Sequence, residues 1–269
     1  MKKIRYLSWC TMIGGAVLCC ASITFAQFGG FNIGDAIKGG ENAKKIIKGA
    51  AGVSLNEELD VGGSLALEIA SKKGGILKNQ ALTERVATIG KALTLYCTRP
   101  ELHFTFAVLD NPEINAFACP GGYVFVTKGL VDSCKNDQQL ASTLAHEIAH
   151  VTRRHALKLI SGKELTQGLL GAGSMAAGGS DYGVIDGAVT TIAENIIDKG
   201  LPKGDEYDAD KYGTRLSYDA GFPPRTLRDY LESLRQKSDD TTFSTHPKLQ
   251  DRVERLDEYM KESGLVPEN

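Results

Sequence analysis

Asn136-Asp137-Gln138-Gln139-Leu140-Ala141-Ser142-Thr143-Leu144-Ala145-His146-Glu147-Ile148-Ala149-His150-Val151 is the stretch on which the reading of this chain turns. Leu140, Leu144, Ile148 and Val151 recur at helical spacing and make one apolar stripe. Asn136 and Asp137 supply N-cap chemistry, and Gln139 is placed to complete a capping-box-like start. On the helix this predicts, His146 and His150 project from one face, roughly 40° apart and well away from the stripe. Two imidazoles held that way reach a single Zn2+, with Glu147 beside the water that such a metal binds. The HExxH pattern therefore implies a metal-dependent hydrolase, most often a peptidase.

A catalytic zinc takes three protein ligands and keeps a fourth position open for water. The chain has 5 histidines, so the choice is short. On a continued helix His155 falls about 140° round from His150, close to the apolar stripe. It is expected to pack or hydrogen-bond there and not to bind the same metal. His103 opens a β-rich run, His103 to Leu109, and reads as structural. Glu206 is the stronger candidate. It begins Glu206-Tyr207-Asp208-Ala209-Asp210-Lys211-Tyr212-Gly213, in which Glu206 and Asp210 would share a helix face. The first is placed to bind metal and the second to accept the free ring N–H of a ligating histidine. An ordinary acidic helix start has the same composition; the HExxH pattern tips the choice toward a ligand.

Four ordered motifs extend this. Asn115-Ala116-Phe117-Ala118-Cys119-Pro120-Gly121-Gly122 and Val126-Thr127-Lys128-Gly129-Leu130 precede the HExxH, which continues into Arg154-His155. The Glu206 to Asp210 segment and Ser244-Thr245-His246-Pro247 with Arg252 follow. In these residues the chain resembles the zinc peptidase family that includes the membrane heat-shock protease and the CAAX prenyl endopeptidases. It is most similar to the small exported bacterial members. The resemblance covers roughly residues 60 to 260. It implies a zincin-like fold of the gluzincin type, one Zn2+ held by His146, His150 and Glu206, and Asp210 behind a ligand, His146 being the candidate. It also implies a catalytic role for His246. One departure is Gln139, where relatives often carry Glu; that position lies off the metal face.

In such a site Glu147 is the general base, taking a proton from the attacking water and returning it to the leaving amine. His246 is placed to donate to the developing oxyanion, and the alternative is a histidine capping a loop. Arg252 is read as orienting that loop, contacting substrate or pairing with an acidic neighbour, the alternative being an ordinary exposed helix arginine. Tyr123-Val124-Phe125-Val126-Thr127 reads as a strand after a Gly121-Gly122 turn. The resemblance implies that this strand edges the cleft and pairs with an extended peptide, which makes Asn115, Tyr123, Val124 and Phe125 candidate substrate contacts. The residues alone fit an ordinary sheet strand equally well.

The N-terminus reads as a leader. Lys2, Lys3 and Arg5 precede an apolar run from Leu7 to about Ile23, and Thr24-Phe25-Ala26 offers small residues for signal-peptide cleavage after Ala26. A retained anchor and a lipid-modified Cys19 or Cys20 are the alternatives. Export to the periplasm follows, with membrane association left open. Residues 27 to 56 form a Gly-rich arm; its isoleucines and lysines between Ile37 and Lys48 suit a docking helix or a loose arm, with a peripheral membrane contact as the alternative. Residues 57 to 269 form the peptidase domain. Within it, 161 to 187 is Gly-rich and largely uncharged, fitting either a lid over the cleft or a packed helical hairpin.

Three of the 6 cysteines lie in the leader; Cys97, Cys119 and Cys134 remain, enough for one disulfide of undetermined pairing. A formal net charge of −2 with no basic block argues against nucleic acid as a partner. Helices are expected over 57–98, 222–237 and 247–261, strands near 102–109 and 122–127, and a helix from Glu206 ending near Gly221. The fold class is α+β, mainly helical, with a small sheet flanking the HExxH helix. The leading functional expectation is a metalloendopeptidase whose substrates are unfolded or misassembled envelope proteins. A non-catalytic, zinc-containing binding or chaperone-like module is the alternative, and an intact Glu147 argues against it.

Overall fold

The computed structural model describes residues 53–160, 181–237 and 245–266. The expected leader, most of the expected Gly-rich arm and most of the expected lid or hairpin at 161–187 lie outside the described residues. The first helix, α1 (Leu55–Lys72), starts on a full capping box: Glu57 N–H donates to Ser54 Oγ, and Ser54 N–H donates to Glu57 Oε2. Helix α2 (Gln80–Thr94) is capped by Asn79, whose side chain accepts from Leu82 N–H. The expected helical stretch 57–98 is thus two helices, broken where Gly74 and Gly75 take positive φ. A Cβ on Gly74 would stand 2.3 Å from Asp110 O, so only glycine lets this turn lie on the chain beyond the first strand.

Three strands follow: β1 (Thr105–Leu109), β2 (Ala116–Cys119) and β3 (Tyr123–Thr127). They order as β1-β3-β2, with β1 parallel and β2 antiparallel to β3. The first strand is shorter than expected, because Leu102 to Phe104 precede it. β2 was not anticipated; its four residues are too short for alternation to register against a Gly/Pro-rich flank. Along the strands successive side chains go to opposite faces. Phe117, Phe125 and Leu109 pack with α1, α5 (His155–Ile160) and α6 (Asp181–Lys199), whereas Phe106, Val108, Val124 and Val126 pack with α2 and α4 (Asp137–Thr152). A short α3 (Lys128–Ser133) joins β3 to α4.

Helix α4 is the axis of the molecule. Every residue from Leu140 to Thr152 is buried, so the apolar stripe is only one of its covered faces. The polar face is covered by α7 (Lys203–Asp219), which packs along it. At their crossing, a Cβ on Gly213 would stand 2.8 Å from His146 N and Cα. The missing side chain is what lets the helices approach this closely. α7 ends as a Schellman motif: Phe222 N–H donates to Ser217 O, Gly221 N–H donates to Tyr218 O, and Gly221 has φ 91°. Helices α8 (Thr226–Arg235) and α9 (Leu249–Glu262) close the fold through Leu227, Tyr230, Leu231, Leu256 and Met260. The architecture is α+β and mainly helical, with a small mixed sheet against the HExxH helix. Cys97, Cys119 and Cys134 are unpaired. Among the described residues no helix is long and apolar enough to cross a membrane.

The two glycines of α7 make a paired prediction. Gly213→Ala should cost about 1–3 kcal/mol by overpacking. Gly204→Ala, which meets nothing within 4 Å, should be neutral or gain up to about 1 kcal/mol of helix propensity. Urea unfolding of both variants checks this; equal effects would mean that the close crossing carries no energetic weight.

Candidate metal centre

The site is assembled across the α4–α7 contact. Asn136 caps α4 by accepting from Gln139 N–H at 3.0 Å, while the Gln139 side chain accepts from Lys135 N–H at 2.8 Å, one residue earlier than a capping box requires. Two and a half turns on, His146 and His150 bring their Nε2 atoms to 3.0 Å from each other. Glu206, in the first turn of α7, faces them: Oε2 lies 3.6 Å from His146 Nε2, and Oε1 lies 3.5 Å from His150 Nε2. The three side chains are 2–3% exposed.

These residues fit a metal ion. One ligand atom from each of His146, His150 and Glu206 lies within 4.8 Å of the others. Glu206 Oε2 is buried and has no hydrogen-bond partner. An anionic oxygen left so in a protein interior is costly, and a cation at the point where the three groups converge would satisfy it. Two imidazole nitrogens and one carboxylate oxygen form a donor set for a transition-series divalent ion rather than for calcium or magnesium.

Each charge in the site has a cause. Burial raises Glu147 to about 7, against the opposing pull of His146. Burial would depress His146, but Asp210 and Glu206 outweigh it and lift the imidazole to about 9. Cation binding would therefore displace a proton from this nitrogen. Burial pushes His150 well below its ordinary value. Burial would raise Glu206 too, but His246, His150 and His146 overcome it and hold the carboxyl well below its usual range. Asp210, despite burial, is drawn down to about 2, chiefly by Arg252.

Behind the centre, His146 Nδ1 lies 3.0 Å from Asp210 Oδ1, an ionic contact without good hydrogen-bond alignment. Arg252 grips the same carboxylate, Nε to Oδ2 at 2.8 Å and Nη2 to Oδ1 at 2.6 Å. Arg252 is itself 6% exposed, so it is not a surface residue; two of its N–H groups hold Asp210, and it also stands in the wall of a cavity beside the centre. His246 enters from the loop before α9, with Nε2 3.7 Å from Glu206 Oε2 and Thr245 Oγ1 3.0 Å from its Nδ1. That loop is propped by Gly200 (φ 69°), where a Cβ would stand 1.9 Å from Thr245 O.

Two cavities meet at the centre and share Asn115, Ala116, Glu147 and His246 as walls. The expected edge strand is corrected here. Tyr123, Val124 and Phe125 belong to β3, which is paired on both sides and has no free edge. Val124 and Phe125 are each 1% exposed and belong to the core. The edge beside the site is β2. Thr127 N–H donates to Asn115 O, so antiparallel alternation turns the backbone groups of Ala116 and Ala118 away from β3. Asn115 does line the cleft, and its Oδ1 accepts from Ala116 N–H at 2.8 Å. His103 is exposed and far from playing a core role.

His155 departs most from the helical projection. α4 ends at Thr152, and Arg154 adopts φ 59°, a left-handed turn that reverses the chain into α5. His155 is thereby fully buried against the centre's rear, Nδ1 2.9 Å from His150 Nδ1 and Nε2 3.1 Å from Asp208 Oδ2. It does not join the three converging ligand atoms. Nothing in the residue pattern signalled the break, since two arginines are ordinary helix formers.

The family model described as peptidase family M48 matches residues 80–260. The chain is 26% identical over 202 residues to the beta-barrel assembly-enhancing protease of Escherichia coli (strain K12), covering 72% of this chain and 40% of that protein. It is 27% identical over 229 residues to the mitochondrial metalloendopeptidase OMA1 of Schizosaccharomyces pombe, covering 80% and 65%. To the mitochondrial metalloendopeptidase OMA1 of Bos taurus it is 30% identical over 180 residues, covering 62% and 34%. The chain thus spans well under half the length of the bacterial relative and of the bovine one.

Removing Arg252 should strand the buried Asp210 carboxylate. Arg252→Leu is expected to cost about 3–5 kcal/mol, and the double change with Asp210→Leu less than the sum of the two single changes. Denaturant unfolding of the four proteins in the cycle measures this.

Proposed function

The chain belongs to peptidase family M48, and from that premise we propose that it is a zinc-dependent endopeptidase acting on unfolded or misassembled envelope proteins. The observation that carries the reading is the convergence of His146, His150 and Glu206 at the foot of a cleft, with Glu147 on the same helix turn as the two histidines. When bound, zinc would supply a water of lowered pKa, near 7, and positive charge for an oxygen that gains electrons.

The chain's own residues do the rest. Glu147, with burial lifting it to about 7, is poised to accept a proton near neutral pH and to release it to the leaving amine. His246 lines both cavities with Glu147, where a donor would favour the carbonyl oxygen as it becomes negative. Asp210, clamped by Arg252, fixes the orientation of His146. Among the described residues the outer edge of β2 is unpaired; it offers the Ala116 carbonyl and both backbone groups of Ala118 to an extended peptide, the Ala116 N–H being held by Asn115 Oδ1. Such pairing reads main chain rather than side chain, which suits substrates recognised as unfolded. The leader supports export to the periplasm, and the Escherichia coli relative is named for enhancing β-barrel assembly.

Degradation of an unfolded protein by the zinc-loaded chain tests the reading. Glu147→Gln should reduce turnover by about 10²–10⁴-fold while zinc content stays at one per chain, and a chelator should abolish turnover in the wild type. Zinc-loaded wild type that cuts nothing would remove the peptidase reading in favour of a binding module. Ala118→Pro, which deletes an outward-facing N–H without touching the β2–β3 ladder, should raise KM for extended peptides with little loss of stability. An unchanged KM would place the substrate elsewhere.

A further inference from the structure

We infer that His155 and Asp208 form a relay that fixes the tautomer and ring orientation of His150, giving this ligand a different backing from His146. The inference rests on the reading of His150 as a metal ligand. Its basis is a set of contacts that, once His150 offers Nε2 to a cation, admits one arrangement of protons between two neutral imidazoles.

His150 turns Nε2 toward His146 and Glu206 and turns Nδ1 away, to 2.9 Å from His155 Nδ1. Two ring nitrogens at that distance need one donor and one acceptor. If His150 is to present the Nε2 lone pair to a cation, its proton sits on Nδ1, and Nδ1–H donates to His155. His155 Nδ1 is then the acceptor, so its own proton sits on Nε2. That nitrogen faces Asp208 Oδ2 at 3.1 Å, with Asp205 Oδ1 further off at 3.7 Å. Both partners are carboxylates, which accept and cannot donate when ionised. Asp208 is held in turn by Arg153, whose Nε and Nη2 donate to its two oxygens at 2.7 and 3.2 Å. The direction of donation is thus set from the surface inward.

The backbone supports a specific role. Arg154 is the one described non-glycine residue with positive φ, and this turn brings His155 back against His150 instead of carrying it onward along α4. Strain of that kind persists only where the surroundings enforce it. The two ligand histidines differ accordingly. His146 meets a carboxylate directly, whereas His150 meets one through a second imidazole. The direct carboxylate, Asp210, is buried with its arginine; the remote one, Asp208, lies at the half-exposed surface with Arg153.

The test is the zinc dissociation constant, measured by competition with a chromogenic chelator, for wild type, His155→Gln, His155→Phe and Asp208→Ala. Glutamine can accept from His150 and donate to Asp208, so His155→Gln should bind zinc nearly as tightly as wild type. Phenylalanine keeps the ring volume and loses both bonds, and His155→Phe should weaken binding by about 10–100-fold. Wild-type affinity in His155→Phe overturns the relay, and so does an equal loss in His155→Gln and His155→Phe, which would mean that shape alone matters. If His155→Phe does not fold, Asp208→Ala at the half-exposed end decides. The ¹⁵N shifts of the His150 ring in the metal-free protein should lose their Nδ1–H signature in that variant, and unchanged shifts overturn the relay. These readouts need no turnover. A wild type that holds zinc but cuts no protein sinks the peptidase reading and leaves the relay standing.

Discussion

The contact between α4 and α7 at His146 and Gly213 sets the geometry of everything around it. A backbone-to-backbone approach this close leaves no room for a β-carbon on Gly213. Two turns back along α7, Glu206 is thereby brought within reach of both ring nitrogens, and one turn back Asp210 stands behind His146. A side chain at Gly213 would push the helices apart and draw the carboxylates away from the imidazoles. The fold places its most permissive residue where its most demanding chemistry requires contact.

This closeness has an electrostatic cost. Glu147, Glu206 and Asp210 are all buried within one small volume, and burying each ion carries a penalty of several kcal/mol unless it is paired. Arg252 answers for Asp210. For Glu206 the protein offers imidazoles at 3.5–3.7 Å, too far for good hydrogen bonds, and one oxygen stays unsatisfied. Glu147 responds differently, through burial that favours its protonated form. The three converging ligand atoms thus suit a cation, while the charges farther out are neutralised by arginines.

Much of this is legible in the residues, and the division has physical reasons. Helical spacing places His146, Glu147 and His150, and N-cap chemistry places the start of their helix, because both depend on neighbours within a few positions. Glu206 and Asp210 emerge as a pair for the same reason, although their partnership with α4 depends on tertiary contact. What stays hidden is set by long-range contact or by a single backbone torsion. The left-handed turn at Arg154 carries no residue signature, so a continued helix sends His155 to the wrong side. Arg252 reads as surface-compatible in a polar helix, and only its meeting with Asp210 buries it. β2 is too short to show alternation, which let β3 stand in for the edge strand.

The misassigned edge matters for how a substrate would be held. β3 is bonded on both flanks and supplies rigidity; β2, bonded on one flank, supplies valence. Because β2 runs past Glu147 and His246, a peptide added to it would lie across the ligand helix with its backbone fixed before any side chain is read. The adjoining cavities would then sort side chains chiefly by what fits around Ile114, Leu231 and Ile196; Arg252, in the wall of one of them, has its charge already met by Asp210. Extended backbone becomes the main requirement. Folded proteins, whose strands are already paired, present little of it, so the proposed preference for unfolded chains would follow from the sheet's own unpaired edge.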